Sequence, residues 1–346
     1  MIRVLIVDDS ATCRDLLTEQ LERDGDIAVA GEAISGEQAL ERIAALAPDV
    51  VTLDIQMPGM GGLATIEAIV THHPKPILVV TGLDTREREL AVAATRRGAL
   101  GLANKAAHDD LVGAAHLRTS VRRLASIQLQ VRPLAREPGE WSERPRVAWP
   151  TPAPSHALPI IAIGCSAGGP KALAELLEGV PVSVPACLAI ANHLPADFVS
   201  AFARLLASQH AFEVRIADEA IEPEPGLLVL APGGCDLVHV EGRLVGRRSR
   251  PDELWCPRVD ALFESLATAP GAHAGVILSG LGSDGTRGLA AMRAADKLTV
   301  VQDRASAAVW GMPRAALGSA VEELPVAAMA ELLQRWIASR GPRRSR

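Results

Sequence analysis

Tyrosine is absent from this chain of 346 residues, and aromatic side chains make up only 3% of it, so any core must be built from Ala, Val, Leu and Ile. Long apolar runs are missing as well. No stretch could span a bilayer, and Met1 leads directly into a strand without a basic-then-apolar leader, so a cytoplasmic protein without membrane insertion is expected. The five cysteines, Cys13, Cys165, Cys187, Cys235 and Cys256, are odd in number, scattered and without a C-x-x-C pair. That pattern excludes a disulfide framework, offers no sulfur cage for a metal, and fits a reducing compartment. Positive charge is also in deficit. A net charge of -6 disfavours nucleic acid as a partner, because neutralising phosphates needs a basic face, and no basic recognition helix is visible. The only basic run, residues 339–346, is expected to be a solvated tail.

What is present is an ordinary globular balance, 48% apolar and 22% charged, over a length that favours two domains. From residue 1 to about 120, strand-like runs at Arg3–Val7, Ile27–Ala30, Val50–Leu53, Ile77–Val80 and Leu100–Ala103 alternate with helical runs near 11–24, 37–46, 62–72, 85–97 and 108–124. Five β-α units imply a parallel, doubly wound sheet with helices on both faces. Prolines 133, 138, 145, 150, 152, 154 and 159 then punctuate an aperiodic stretch, the composition of an extended, semi-rigid connector. Alternation resumes to residue 338, with a hairpin expected around Glu241-Gly242. The expectation is α/β throughout: two doubly wound parallel-sheet domains, 1–124 flavodoxin-like and 158–338 Rossmann-like, joined by a Pro-rich linker at 125–157 and followed by the tail.

In open parallel sheets, ligands collect at the carboxyl ends of the strands. Asp8 and Asp9 end the first strand and Asp54 the third. Three crowded carboxylates repel unless a divalent cation joins them, and Mg²⁺ suits an all-oxygen set. Asp54 is then placed to act as a nucleophile toward a phosphoryl group. Thr81 and Lys105 end the fourth and fifth strands and offer a hydroxyl and an ammonium to phosphoryl oxygens. By itself the Asp8-Asp9 pair could equally cap a helix. The five residues together resemble the receiver domain of two-component response regulators. That resemblance implies Asp54 as phosphoacceptor, Asp8, Asp9 and Asp54 around Mg²⁺, Thr81 and Lys105 as switch residues, and a histidine kinase as phosphodonor. The chain departs from the family at three places: Ala106 follows Lys105 where proline is usual, Leu102 replaces an aromatic residue, and Gly61 falls in a stretch that usually reads M-D-G.

The second loaded turn, Gly164-Cys165-Ser166-Ala167-Gly168, fits G-x-S-x-G between strand Ile160–Ile163 and a helix opened by Pro170. Such an elbow presents a serine hydroxyl above the sheet edge, with amides at the helix start facing a developing oxyanion. Alone, it could also hold phosphate or simply close a corner. A serine needs a base, and His193 is the histidine placed at a strand end, after Cys187–Ala191 and before Leu194-Pro195. Asp284, in the Gly-rich turn after Ala274–Ser279, is the candidate for orienting it, with capping of the following helix as its other possible role.

The order Ser, His, Asp is not that of the α/β-hydrolases. These segments, with P-R-V-D-A-L-F at 257–263 and V-W-G-M-P at 309–313, resemble the catalytic domain of the chemotaxis methylesterases, the protein-glutamate methylesterase/glutamine deamidase family. The resemblance implies Ser166 as nucleophile, His193 as base and then acid, Asp284 as the orienting carboxylate, and no cofactor for ester hydrolysis. It further implies methylated chemoreceptor helices as substrate and a receiver that covers the catalytic cleft until phosphorylated. A small-ester esterase without gating and a non-catalytic response regulator are the rival expectations.

Overall fold

The computed structural model describes residues 1–82, 84–127, 157–250 and 256–339. Most of the expected linker, with His156, and the tail from residue 340 lie outside the described residues. The chain forms two compact α/β units.

The first unit runs β1 (Ile2–Val7), α1 (Ala11–Glu22), β2 (Ile27–Ala33), α2 (Gly36–Leu46), β3 (Val50–Leu53), α3 (Gly61–His72), β4 (Ile77–Thr81), α4 (Thr85–Arg96), β5 (Gly101–Asn104) and α5 (Leu111–Ala125). Its strands form one parallel sheet in the order β2-β1-β3-β4-β5. Val4, Leu5, Ile6 and Val7 are all fully buried, as expected of an unbroken apolar run covered by helices on both faces. Helix starts are set by side-chain caps: Ser10 accepts from the Cys13 amide, Ser35 from Gln38, Asp84 from Arg86, and Asp110 from Gly113. The cap at Asp110 is why α5 begins three residues later than its apolar periodicity suggests. After β1 the chain goes to one side through β2 and then to the other through β3, so the switch point lies between β1 and β3.

The second unit runs β6 (Ile160–Cys165), α6 (Gly169–Gly179), β7 (Cys187–Asn192), α7 (Val199–Gln209), β8 (Glu213–Ile216), β9 (Leu227–Leu230), β10 (Cys235–Val240), β11 (Arg243–Arg248), α8 (Val259–Ala267), β12 (His273–Ile277), α9 (Thr286–Ala294), β13 (Leu298–Gln302), α10 (Met312–Ala316), β14 (Glu322–Leu324) and α11 (Val326–Ala338). Seven strands form a parallel sheet in the order β14-β13-β12-β6-β7-β9-β8, which puts the switch point between β6 and β12. Strands β10 and β11 form the expected hairpin apart from this sheet. Its turn places both Glu241 (φ 48) and Gly242 (φ 84) in the left-handed region, the backbone of a two-residue hairpin turn that matches strand twist. No helix among the described residues is long and apolar enough to cross a membrane.

His273, one residue before the strand expected from Ala274, opens β12. It is buried, accepting from the Ile160 amide through Nδ1 and donating to the Pro270 carbonyl through Nε2. Burial, aided by the Lys297 charge, pushes its pKa down to about 4. The unfolded chain takes up this proton near pH 6.5, so the stabilisation is complete above that pH and is lost as pH falls toward 4, at a cost of about 3 kcal/mol. All five tryptophans lie after residue 140, so Trp fluorescence follows the second part of the chain. Urea midpoints read this way should fall between pH 7 and pH 4.5 in the wild type and fall less in His273→Gln; equal slopes would remove the assignment.

Candidate active site

Ser166 follows β6 directly, and the β6–β7 register pairs Cys165 with Asn192, which brings His193 alongside Ser166 at the carboxyl edge. The His193 amide donates to the Cys165 carbonyl at 3.0 Å. The elbow is pinned from just past β12: the Ser166 amide donates to the Ser279 carbonyl at 3.0 Å, and the fully buried Ser279 hydroxyl donates to the Ala167 carbonyl at 2.8 Å. Gly168 makes the turn possible, since it takes φ +74 and a Cβ there would meet Ser279 Oγ and Ala308 Cβ at 2.7 Å. The first helix amide does not face a substrate, because Gly169 donates back to the Ser166 carbonyl at 2.7 Å. That takes the first helix amide out of the expected set of oxyanion donors. Among the described residues, the amides of Ala167 and Gly168 have no hydrogen-bond partner.

Asp284 lies past β12, across the switch point from His193, and its Oδ2 is 2.7 Å from His193 Nε2. The same oxygen accepts from the Val259 amide at 2.7 Å, while Oδ1 accepts from Asp260 at 3.0 Å and Gly285 at 2.9 Å. Burial alone would raise this carboxyl group. The bond and charge of His193, with the two amides at the start of α8, outweigh burial and hold it below the usual carboxylate range. An ionised Asp284 can only accept, so Nε2 must carry the imidazole proton and Nδ1 is left as the basic nitrogen. Asp284 does not cap its own helix, whose N-cap is Gly285 without a side-chain bond.

Other side chains at the edge have structural work. Burial pushes the Cys165 thiol up to about 12, and it bonds Asn192 Oδ1, so it is no rival to Ser166 as nucleophile. Met312, of the V-W-G-M-P motif, is fully buried and packs onto Gly280 next to the Ser166 Cβ.

At the other switch point, oxygens of Asp8, Asp9 and Asp54 all lie within 4.8 Å of one another, a spacing suited to one divalent cation. Lys105 Nζ bridges Asp8 Oδ2 at 2.8 Å and Asp54 Oδ2 at 2.9 Å. Burial opposes its charge, but these two bonds raise its pKa overall. Burial also raises Asp54, and Lys105 only partly offsets this. The Thr81 hydroxyl is fully buried at the end of β4 without a protein partner, an orphan that a phosphoryl oxygen would satisfy. Where proline is usual after Lys105, Ala106 is buried, and Gln20 Nε2 donates to the carbonyls of both Ala106 and Ala107 at 3.2 Å. Gly61 takes φ +73, so glycine suits the position. Leu102 packs into the core.

The family model for CheB methylesterase matches residues 161–333, and that for the response regulator receiver domain matches residues 4–116. Protein-glutamate methylesterase/protein-glutamine glutaminase 2 of Xanthomonas oryzae pv. oryzae is 40% identical, covering 96% of each chain. Protein-glutamate methylesterase/protein-glutamine glutaminase 5 of Myxococcus xanthus is 37% identical, over 97% of this chain and 98% of that one. This chain belongs to the CheB methylesterase family. Among solved structures, the Thermotoga maritima CheB methylesterase catalytic domain matches at 25% identity over 53% of this chain and 100% of that one, with a TM-score of 0.49.

In this CheB-family chain the sequence brought forward Ser166, His193 and Asp284 but left the role of Val259, Asp260, Ser279 and Gln302 unread. Gln302, buried in β13, accepts from the Ser279 amide at 2.7 Å and so steadies the residue that pins the elbow. The available signals were an acidic residue in the first turn of a helix, at Asp260, and polar residues ending apolar strands, at Ser279 and Gln302.

Proposed function

We propose that this chain is a phosphorylation-regulated serine hydrolase that demethylates glutamate methyl esters on chemoreceptor cytoplasmic helices and deamidates glutamines there. The observation that carries the proposal is the 2.7 Å His193–Asp284 bond beside Ser166 at the β6/β12 switch point. His193 Nδ1 takes the Ser166 hydroxyl proton as Oγ attacks the ester carbonyl carbon. The oxyanion of the tetrahedral intermediate is met by the amide of Ala167, the residue after the nucleophile. Its collapse breaks the carbon–methoxy bond, and His193 returns the proton to give methanol. A water, deprotonated by His193, then attacks the glutamyl-serine ester and releases glutamate and free Ser166. With glutamine the leaving group is ammonia. Methanol release from methylated receptor, compared between wild type and Ser166→Ala, tests the assignment, and a small methyl ester as competitor tells a receptor-directed enzyme from a general esterase.

In the first unit Asp54 is the phosphoacceptor, supplied by a chemotaxis-type histidine kinase. Asp8, Asp9 and Asp54 are the side chains that would hold Mg²⁺, which when bound neutralises carboxylate and phosphoryl charge. Thr81 then donates its hydroxyl to a phosphoryl oxygen, and Lys105 pairs with another. Five free cysteines among the described residues suit a cytoplasmic setting. Asp54→Asn should take up no phosphoryl group from a small phosphodonor, and its esterase rate should no longer respond to the donor. EDTA should abolish uptake by the wild type. Labelling of the variant at the wild-type level would exclude Asp54.

A further inference from the structure

The starts of α8 and α9 are capped by each other's carboxylates. The first turn of any helix has amides without intrahelical partners. In α8, whose N-cap Arg258 supplies no side-chain bond of its own, the amides of Val259 and Asp260 are taken by Asp284, which stands just before α9. In α9 the amide of Gly288 is taken by Asp260 Oδ1 at 2.9 Å, while Asp260 Oδ2 accepts from Arg287 Nε at 3.0 Å. The two helices pack so closely that a Cβ at Gly288 would lie 2.5 Å from Phe263 Cβ and 2.9 Å from the Asp260 carbonyl oxygen. The start of α8 is also held from its other side. Asp236, fully buried, accepts from the Arg258 amide at 2.8 Å and from Arg258 Nε at 2.9 Å.

We infer that Asp260 is a positioning residue for the hydrolase: through its bond to the start of α9 it fixes where Asp284, and hence the His193 imidazole, stands relative to Ser166. The inference rests on the triad assignment above. Asp284 is aimed by amides of α8, yet it is carried by the turn that enters α9. Any slip between the helices therefore moves the carboxylate away from its donors. On α8, Asp260 is the side chain that takes a backbone amide of α9, while Glu264 reaches only the side chain of Arg287, at 3.3 Å. Its carboxylate bonds the Gly288 amide and Arg287, not His193, so its removal should act on turnover and not on substrate binding.

The test uses the full chain with methylated receptor as substrate. In Asp260→Ala, kcat should fall about a hundredfold with KM within about twofold, the size expected when a reacting group is displaced by about 1 Å. Asp260→Asn keeps an acceptor for the Gly288 amide and should recover kcat to within severalfold. Asp260→Glu, which keeps charge and acceptor but lengthens the strut, should lower kcat while remaining folded, and it carries the test should the alanine variant not fold. The low-field proton resonance of the His193 Nε2–H···Asp284 bond should be present in the wild type and in Asp260→Asn, and shifted or broadened in Asp260→Ala and Asp260→Glu. Unchanged kcat and an unchanged resonance in folded Asp260→Ala or Asp260→Glu, whatever the melting temperature, would overturn the inference while leaving the triad standing. Full turnover by Ser166→Ala would remove the triad assignment and the inference with it.

Discussion

Ser166→Ala should lower methanol release by about six orders of magnitude, the scale seen when a triad serine is deleted, and leave a residue of about a thousandfold or more over water from the oxyanion donors and substrate binding. The loss is that large because no neighbour can substitute. Cys165 is buried with its thiol pushed up to about 12, and the Ser279 hydroxyl is fully buried and committed to the Ala167 carbonyl. The fold should not follow the activity. The bonds that hold the elbow at this residue come from its backbone, to Ser279 and Gly169, and a Ser→Ala change keeps both. Unfolding free energy should therefore stay within about 0.5 kcal/mol of the wild type. Initial rates of methanol release and a denaturation curve on the same preparation check both halves. Turnover within tenfold of the wild type would end the serine-hydrolase assignment.

Asp284→Asn should cost about four orders of magnitude in kcat and, unlike the serine variant, stability as well. Both carboxylate oxygens of Asp284 act as acceptors for two donors each: His193 and Val259 on Oδ2, Asp260 and Gly285 on Oδ1. A carboxamide has one oxygen, and its NH₂ cannot accept. Whichever way it turns, one pair of donors loses its partner, at about 1–3 kcal/mol for each buried group left unsatisfied. If the NH₂ faces the imidazole, Nε2 must become the acceptor, the proton moves to Nδ1, and the base toward Ser166 is gone. Single-turnover kinetics and urea midpoints measure the two losses separately. A variant that keeps its midpoint and loses less than tenfold in rate would show that Asp284 neither orients His193 nor caps α8.

These two variants differ because the residues came to the site by different routes, and the sequence showed them unequally. Ser166 was legible at once, since the elbow that carries it is a local turn of small residues between a strand and a helix. His193 was legible as the histidine at a strand end. Asp284 was legible by position but had capping of its own helix as the other reading, and the structure turned that alternative around: it caps a helix, but the other one, 25 residues away in sequence. Asp260, in the quoted P-R-V-D segment, was seen and given no task, because its partner amide on Gly288 is brought near only by the packing of α8 on α9. In the first unit the structure places Asp8, Asp9, Asp54, Thr81 and Lys105 at or just past the strand ends the sequence indicated. The support of the Lys105 loop by Gln20, 86 residues distant, was not.

The sequence by itself determined the two parallel-sheet units, the strand ends that carry Asp8, Asp54, Thr81, Lys105, Ser166 and His193, and the family whose motifs they form. The units and strand ends follow from apolar periodicity and turn residues within a few positions of one another, and the family from the resemblance its motifs carry. Only the tertiary structure decided which imidazole nitrogen meets Asp284, that the helix-start amide is spent inside the elbow, and that two helices exchange carboxylates at their starts. Those depend on strand order and on differences of a few tenths of an ångström in how helices pack, where hydrogen bonds form or fail, and a linear pattern of residue types does not encode them.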